Sequence, residues 1–62
     1  MWKTLIIDDE QLARQRIKRL LTTYDEIEII GEAENGEQGL ALVETLKPDL
    51  IFLDIEMPVL NG

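Results

Sequence analysis

The sequence predicts an α/β fold: a β-α-β-α-β half of a doubly wound parallel sheet with strand order 2-1-3. Three observations predict it. The runs Leu5-Ile6-Ile7 and Leu50-Ile51-Phe52-Leu53 lack polar alternation, as central strands covered on both faces do. Two stretches with apolar residues at helical spacing lie between the strands, and such alternation implies parallel strands joined by right-handed crossovers. Both apolar runs end in acid, Asp8-Asp9 after the first and Asp54 after the second.

Thr4–Ile7 is the first predicted strand. Gln11–Leu21 follows as a helix, with Ala13, Ile17, Leu20 and Leu21 facing inward. Asp9 is available as its cap and Glu10 stands in the first turn, both favourable at the positive end of the helix dipole. Arg14, Arg16, Lys18 and Arg19 lie between the apolar positions and are expected to form a solvated face that complements the C-terminal dipole. Thr22 to Asp25 breaks the pattern. Ile27–Ile30 alternates only in part, which suits a less buried edge strand.

Asn35 to Leu46 reads as the second helix. Asn35 can cap it, and Gln38 three residues on completes a capping box. Leu40, Val43 and Leu46 are its expected buried stripe. Gly39 inside this helix costs about 1 kcal/mol relative to Ala, unless it marks close packing on the sheet. Pro48 ends the helix, and Leu50–Leu53 is the third strand. Trp2 and Tyr24 are expected to pack at element ends. If the chain runs from strand 1 to strand 2 and back across to strand 3, the helices cover opposite faces. Ligands of such sheets bind in the crevice beyond the strand C-termini where the direction reverses, between strands 1 and 3. Asp8, Asp9 and Asp54 fall at that crevice.

The chain has 62 residues, with 13 acidic and 6 basic side chains and a formal net charge of -7. One domain spanning residues 1–62 is expected, and a chain this short buries only about 60% of its unfolded surface. The acidic balance argues against nucleic-acid contacts by this segment, because phosphates need clustered Lys and Arg. No apolar run approaches a membrane span, and the N-terminus lacks the apolar core of a signal peptide, so a soluble cytoplasmic protein is expected. Cysteine and histidine are absent, so a metal could be held only by oxygen.

Three carboxylates at one sheet edge, with no basic neighbour in sequence, repel one another unless a hard divalent cation fills the site. Mg²⁺ suits one or two carboxylates, a carbonyl and waters. Taken singly, Asp8-Asp9-Glu10 could simply cap a helix and Asp54 could be a solvated loop acid. Taken together, at strand ends flanking one switch point, they point to a site. Glu56 is a further candidate ligand, through its backbone carbonyl, and Met57-Pro58 closes the loop. Gly31-Glu-Ala-Glu-Asn-Gly36 has the spacing that opens a Walker A loop. However, Glu37-Gln38 replaces the Lys and Ser/Thr that phosphate and metal require, so it reads as a strand-to-helix turn.

Ile7-Asp8-Asp9-Glu10, Gly31 to Gly36, Lys47-Pro-Asp-Leu-Ile-Phe-Leu-Asp54, Met57-Pro58 and Gly62 together resemble the receiver domain of a two-component response regulator. The resemblance runs over the whole chain in order. Asp-Asp-Glu-Gln-Leu-Ala-Arg near the N-terminus is similar to the LytR/AlgR-type subgroup, whose members carry a DNA-binding output domain after the receiver. The resemblance implies a flavodoxin-like sheet and a role for each acid. Asp54 matches the acceptor of a phosphoryl group from a histidine kinase. Asp9 matches the direct Mg²⁺ ligand, Asp8 an acid that positions metal-bound water, and Glu56 the residue lending its carbonyl. The family also uses a Ser or Thr after a fourth strand and a Lys after a fifth. Neither strand is encoded here, and Lys3, Lys18, Lys47, Thr4, Thr22, Thr23 and Thr45 fall away from the crevice.

These 62 residues therefore read as roughly the first half of a receiver: a phosphoacceptor rather than an enzyme, and not phosphorylation-competent by themselves. Two rival readings stand beside it. One is a fragment of a Mg²⁺-dependent phosphohydrolase, although such enzymes usually separate their two acids by one residue and Asp8 and Asp9 are adjacent. The other is a half fold prepared for studies of assembly. Self-association through strand 3, or by exchange of elements, is expected of the isolated half.

Overall fold

A computed structural model describes residues 1–53. The elements are β1 (Trp2–Ile7), α1 (Gln11–Leu21), β2 (Ile27–Ala33), α2 (Gly36–Leu46) and β3 (Leu50–Leu53). The three strands are parallel and lie in the order β2-β1-β3, as the alternation predicts. The chain therefore reverses direction across the sheet between β1 and β3.

β1 begins two residues earlier than the apolar run alone suggests. Trp2 and Lys3 pair with Ile27 and Glu28, and the Trp2 N–H donates to the Glu26 carbonyl at 2.6 Å. Thr4 is fully buried, and its hydroxyl donates to the Trp2 carbonyl at 3.1 Å, so burial leaves no orphaned donor. Leu5 and Ile7 point to one face and Thr4 and Ile6 to the other, following the two-residue period of a strand.

β2 is also longer than expected. Gly31, Glu32 and Ala33 belong to the strand, and the turn into α2 is confined to Glu34 and Asn35. A bulge makes this possible: Thr4 pairs with Ile29 and Leu5 with Gly31, so Ile30 is the extra residue. Beyond it, Gly31 and Ala33 lie beside Leu5 and Ile7, where only small residues leave room for α2. A β-carbon on Gly31 would stand 3.1 Å from Leu46 Cδ1 and 3.4 Å from Leu5 Cδ1.

α2 starts as expected, with Asn35 Oδ1 accepting the Gln38 N–H at 2.8 Å. The reciprocal half of the box is shifted: Gln38 Oε1 accepts from the Glu34 N–H at 3.2 Å, one residue before the cap. Its buried stripe differs from the predicted one. Leu42 and Val43 pack on a core of Leu5, Ile7 and Ala33, while Leu40 is 64% exposed. The reason is Gly39, where an added β-carbon would overlap Ile7 Cδ1 and sit 3.0 Å from its Cγ1. The helix rests on its glycine, which turns Leu40 about 100° away from the contact. Gly39 thus marks close packing. α2 ends at Lys47, whose backbone is left-handed (φ 49°, ψ 62°), immediately before Pro48. Asp49 then fixes the start of β3: its N–H donates to the Lys3 carbonyl at 2.7 Å, and its Oδ2 accepts the Lys3 N–H at 2.9 Å.

α1 packs against β1 and β2 on the face of Thr4 and Ile6, opposite α2. Leu21 is buried, Ala13 and Ile17 are half-buried, and Leu20, expected inside, is 65% exposed. Thr22 and Thr23 close the helix by donating their hydroxyls to the Arg19 and Leu20 carbonyls. Trp2 and Tyr24, expected to pack, are half-exposed at the N-terminal rim, beyond the layer that buries Thr4 to Ile7. Neither helix covers β3, and Ile51, Phe52 and Leu53 remain exposed. Among the described residues no helix is long and apolar enough to cross a membrane.

Candidate functional site at the C-terminal rim of the sheet

β1 delivers Asp8 and Asp9 to the C-terminal rim at the β1/β3 switch point, where Ile7 and Leu53 are the last paired residues of the two strands. Asp8 is buried, and three of its groups are fixed. Its N–H donates to the Ala33 carbonyl at 3.0 Å. Its Oδ1 accepts the Glu10 N–H at 2.9 Å, a side-chain turn across two residues typical of Asp at a helix entrance. Its carbonyl accepts a hydrogen bond from Arg14 Nη1.

The expected cap, Asp9, is displaced by this arrangement. Glu10 is the residue at the N-cap position, makes no side-chain cap bond, and precedes the first turn. Asp8 Oδ1 bonds the N–H of Glu10 itself and not a first-turn N–H of the helix, and Asp9 is left exposed at the rim.

The basic residues of α1 divide into two pairs. Arg16 and Arg19 are exposed, as a solvated face requires. Arg14 and Lys18 instead converge on Glu32 of β2, with Arg14 Nε 3.2 Å from Oε1 and Lys18 Nζ 2.6 Å from Oε2. Glu32 pairs with Ile6 in the ladder and so emerges on the α1 face. The Lys18 hydrogen bond holds the Glu32 carboxyl below the usual glutamate value. Partial burial works the other way, and the charge of Lys18 and the contact with Arg14 add to the lowering. Arg14, Glu32 and Asp49 carry structural weight that the sequence reading missed. For Arg14 a signal existed: it stands one helical turn inside a helix that begins just after the acids, within reach of their backbone.

Asp54 and Glu56 lie outside the described residues, as do Met57, Pro58 and Gly62. Among the described residues no three acidic side chains come together as a metal cluster, and the expected convergence with Asp54 lies outside them. The chemistry of Asp8 and Asp9 fits a hard cation. Both donors would be carboxylate oxygens, that of Asp8 buried and hydrogen-bonded to the Glu10 N–H and that of Asp9 open to solvent, where waters complete a coordination sphere.

Residues 4–62 match the family model described as response regulator receiver domain. Among curated proteins, the chain is 50% identical over 62 residues to the protein-glutamate methylesterase/protein-glutamine glutaminase of Bacillus subtilis (strain 168), covering 100% of the chain and 17% of that protein. It is 50% identical over 58 residues to the nitrate/nitrite response regulator protein NarL of Escherichia coli (strain K12), covering 94% of the chain and 27% of NarL. It is 47% identical over 62 residues to the transcriptional regulatory protein BtsR of the same strain, covering 100% of the chain and 26% of BtsR. The chain thus spans about a quarter or less of the length of the curated relatives it matches. A parallel 2-1-3 sheet, a fixed acid at the end of its central strand and a family match from Thr4 onward lead to one conclusion: this chain belongs to the response regulator receiver domain family of two-component signalling.

Proposed function

We propose that Asp54 is the phosphoacceptor, taking a phosphoryl group from a histidine kinase. A carboxylate oxygen of Asp54 forms the new O–P bond as the N–P bond of the phosphohistidine breaks, and the product is an aspartyl phosphate. Asp8, Asp9, Asp54 and the Glu56 carbonyl would hold Mg²⁺, which when bound neutralises the repulsion between a carboxylate and an incoming phosphoryl group. The chain's own part is to present the acids. Asp8, tied at its N–H and carbonyl, offers a buried carboxylate with Oδ1 held by the Glu10 N–H, and Asp9 offers an open one. The match of residues 4–62 to the receiver family, which spans Asp54, is the observation that carries the reading.

The same reading extends to the protein as a whole. Residues 1–62 form the first half of a receiver, and the rest of the protein carries the remaining strands and a DNA-binding output domain. The protein works in the cytoplasm. In this segment the chain is a phosphoacceptor and supplies no enzymatic centre of its own. Residues 1–62 alone would bind Mg²⁺ weakly and be phosphorylated little, because the Ser/Thr and Lys with which the family bonds the phosphoryl oxygens follow a fourth and a fifth strand, an interaction class worth about 3 kcal/mol in a transition state.

Incubating the full-length protein with acetyl phosphate and Mg²⁺ tests the assignment. Wild type should be labelled and Asp54→Asn should not. Undiminished labelling of Asp54→Asn sinks the assignment, and label on Asp8 would favour the phosphohydrolase reading.

A further inference from the structure

The end of β1 is tied to the end of β2 by a closed ring of contacts that passes through one side chain of α1. The Asp8 N–H donates to the Ala33 carbonyl at 3.0 Å. The Asp8 carbonyl accepts from Arg14 Nη1. Arg14 Nε reaches Glu32 Oε1 at 3.2 Å, and Glu32 directly precedes Ala33. The other oxygen of Glu32 is held by Lys18 Nζ at 2.6 Å. The Arg14 side chain is 14% exposed, so its cation is poorly hydrated and depends on these two acceptors.

Two effects follow from the shape of the guanidinium. Its rigid planar fork aims one nitrogen at a carbonyl and another at a carboxylate, which a lysine cannot do. Holding the Asp8 carbonyl fixes the peptide plane between Asp8 and Asp9, and with it the direction in which Asp9 leaves the backbone. Committing Arg14 to Glu32 also keeps a cation near the acids from closing onto them and competing for the place a metal would take.

We propose that Arg14 is the positioning residue of the Asp8-Asp9 cation half-site, with Glu32 as its anchor and Lys18 as the clamp on that anchor. This rests on the reading of Asp8 and Asp9 as cation ligands. The role is distinguishable from a charge effect. A pure charge effect makes Arg14 a repulsive neighbour, so its removal would tighten Mg²⁺ binding and its replacement by another cation would change nothing. Positioning makes the opposite prediction on both counts.

The test is Mg²⁺ titration calorimetry on the full-length protein, alongside circular-dichroism melts that establish which variants are folded. Arg14→Lys keeps the charge and loses the fork, and should weaken Mg²⁺ binding about 10-fold, the usual range for a residue that orients a metal ligand. Arg14→Ala should weaken it at least as much. Arg16→Ala, on the exposed face of the same helix, should bind as wild type does. If Arg14→Ala fails to fold, Arg14→Lys alone carries the test. Unchanged affinity in Arg14→Lys, or tighter binding in a folded Arg14→Ala, overturns the proposal while leaving the acids as ligands. Failure of wild type to bind Mg²⁺ overturns the ligand reading and the positioning role with it.

Discussion

Glu32 sits in a strand, beside Ile6 in the ladder, yet carries two cations from the neighbouring helix. Its carboxyl titrates below the usual glutamate value, chiefly through the Lys18 hydrogen bond. A carboxyl depressed in the folded state contributes stability above its unfolded value, and that contribution is lost as pH falls through the folded value. The melting temperature of wild type should therefore fall more steeply than that of Glu32→Gln between about pH 5 and pH 3. Each pair is partly solvated and worth under about 1 kcal/mol, so the separation at neutral pH should be small. Parallel melting curves over the acid range would show that the two contacts contribute nothing. At this scale the sequence was only partly legible. The acids at the end of β1 declared themselves by ending an apolar run, but neither caps α1: Glu10 holds the N-cap position without a side-chain bond, and Asp8 Oδ1 bonds the Glu10 N–H instead. The pairing of Arg14 and Lys18 with Glu32 depends on a bulge at Ile30, which decides the face on which Glu32 emerges and leaves no trace in local composition.

α2 shows how a single small residue sets the orientation of a whole element. The spacing of Leu40, Val43 and Leu46 predicts one stripe, but Gly39 permits the closest approach to Ile7 and rotates the contact to Leu42, Val43 and Leu46. Hydrophobic periodicity locates a helix well and its contact face less well, because two overlapping stripes differ by one residue and only tertiary fit chooses between them. Gly39→Ala would gain about 1 kcal/mol of helix propensity. Overpacking against Ile7 opposes that gain, and a net loss of up to about 2 kcal/mol is expected. Urea unfolding of Gly39→Ala, Ile7→Val and the double variant measures this. The alanine should cost less when Ile7 has lost its Cδ1, and an equal cost in both backgrounds would show that the two residues do not collide. The start of α2 gives a simpler expectation. Asn35→Ala removes the bond to the Gln38 N–H and should cost about 1 kcal/mol in the same measurement, and no loss would show the cap to be redundant with solvent.

At the scale of the whole molecule, strand order and crossover topology were legible because few arrangements satisfy alternating elements and right-handed connections. The same logic exposes the weakness of these 62 residues taken alone. β3 pairs with β1 among the described strands, neither helix covers it, and Ile51, Phe52 and Leu53 are 48%, 38% and 55% exposed. Leu50–Leu53 carries no Pro, Lys or bulge, the devices that normally blunt a sheet edge. Two copies related by a two-fold axis would place β3 against β3′ as antiparallel neighbours, joining the two three-stranded sheets into one of six strands. Each copy would also shield part of the apolar surface that the other leaves open near β3. The 62-residue chain by itself should therefore sediment as a dimer at micromolar concentration. Lys or Glu at Ile51, which charges the edge, should shift it toward monomer. A folded monomer of the unaltered chain would overturn this expectation, because it would show that the exposed edge at β3 needs no partner.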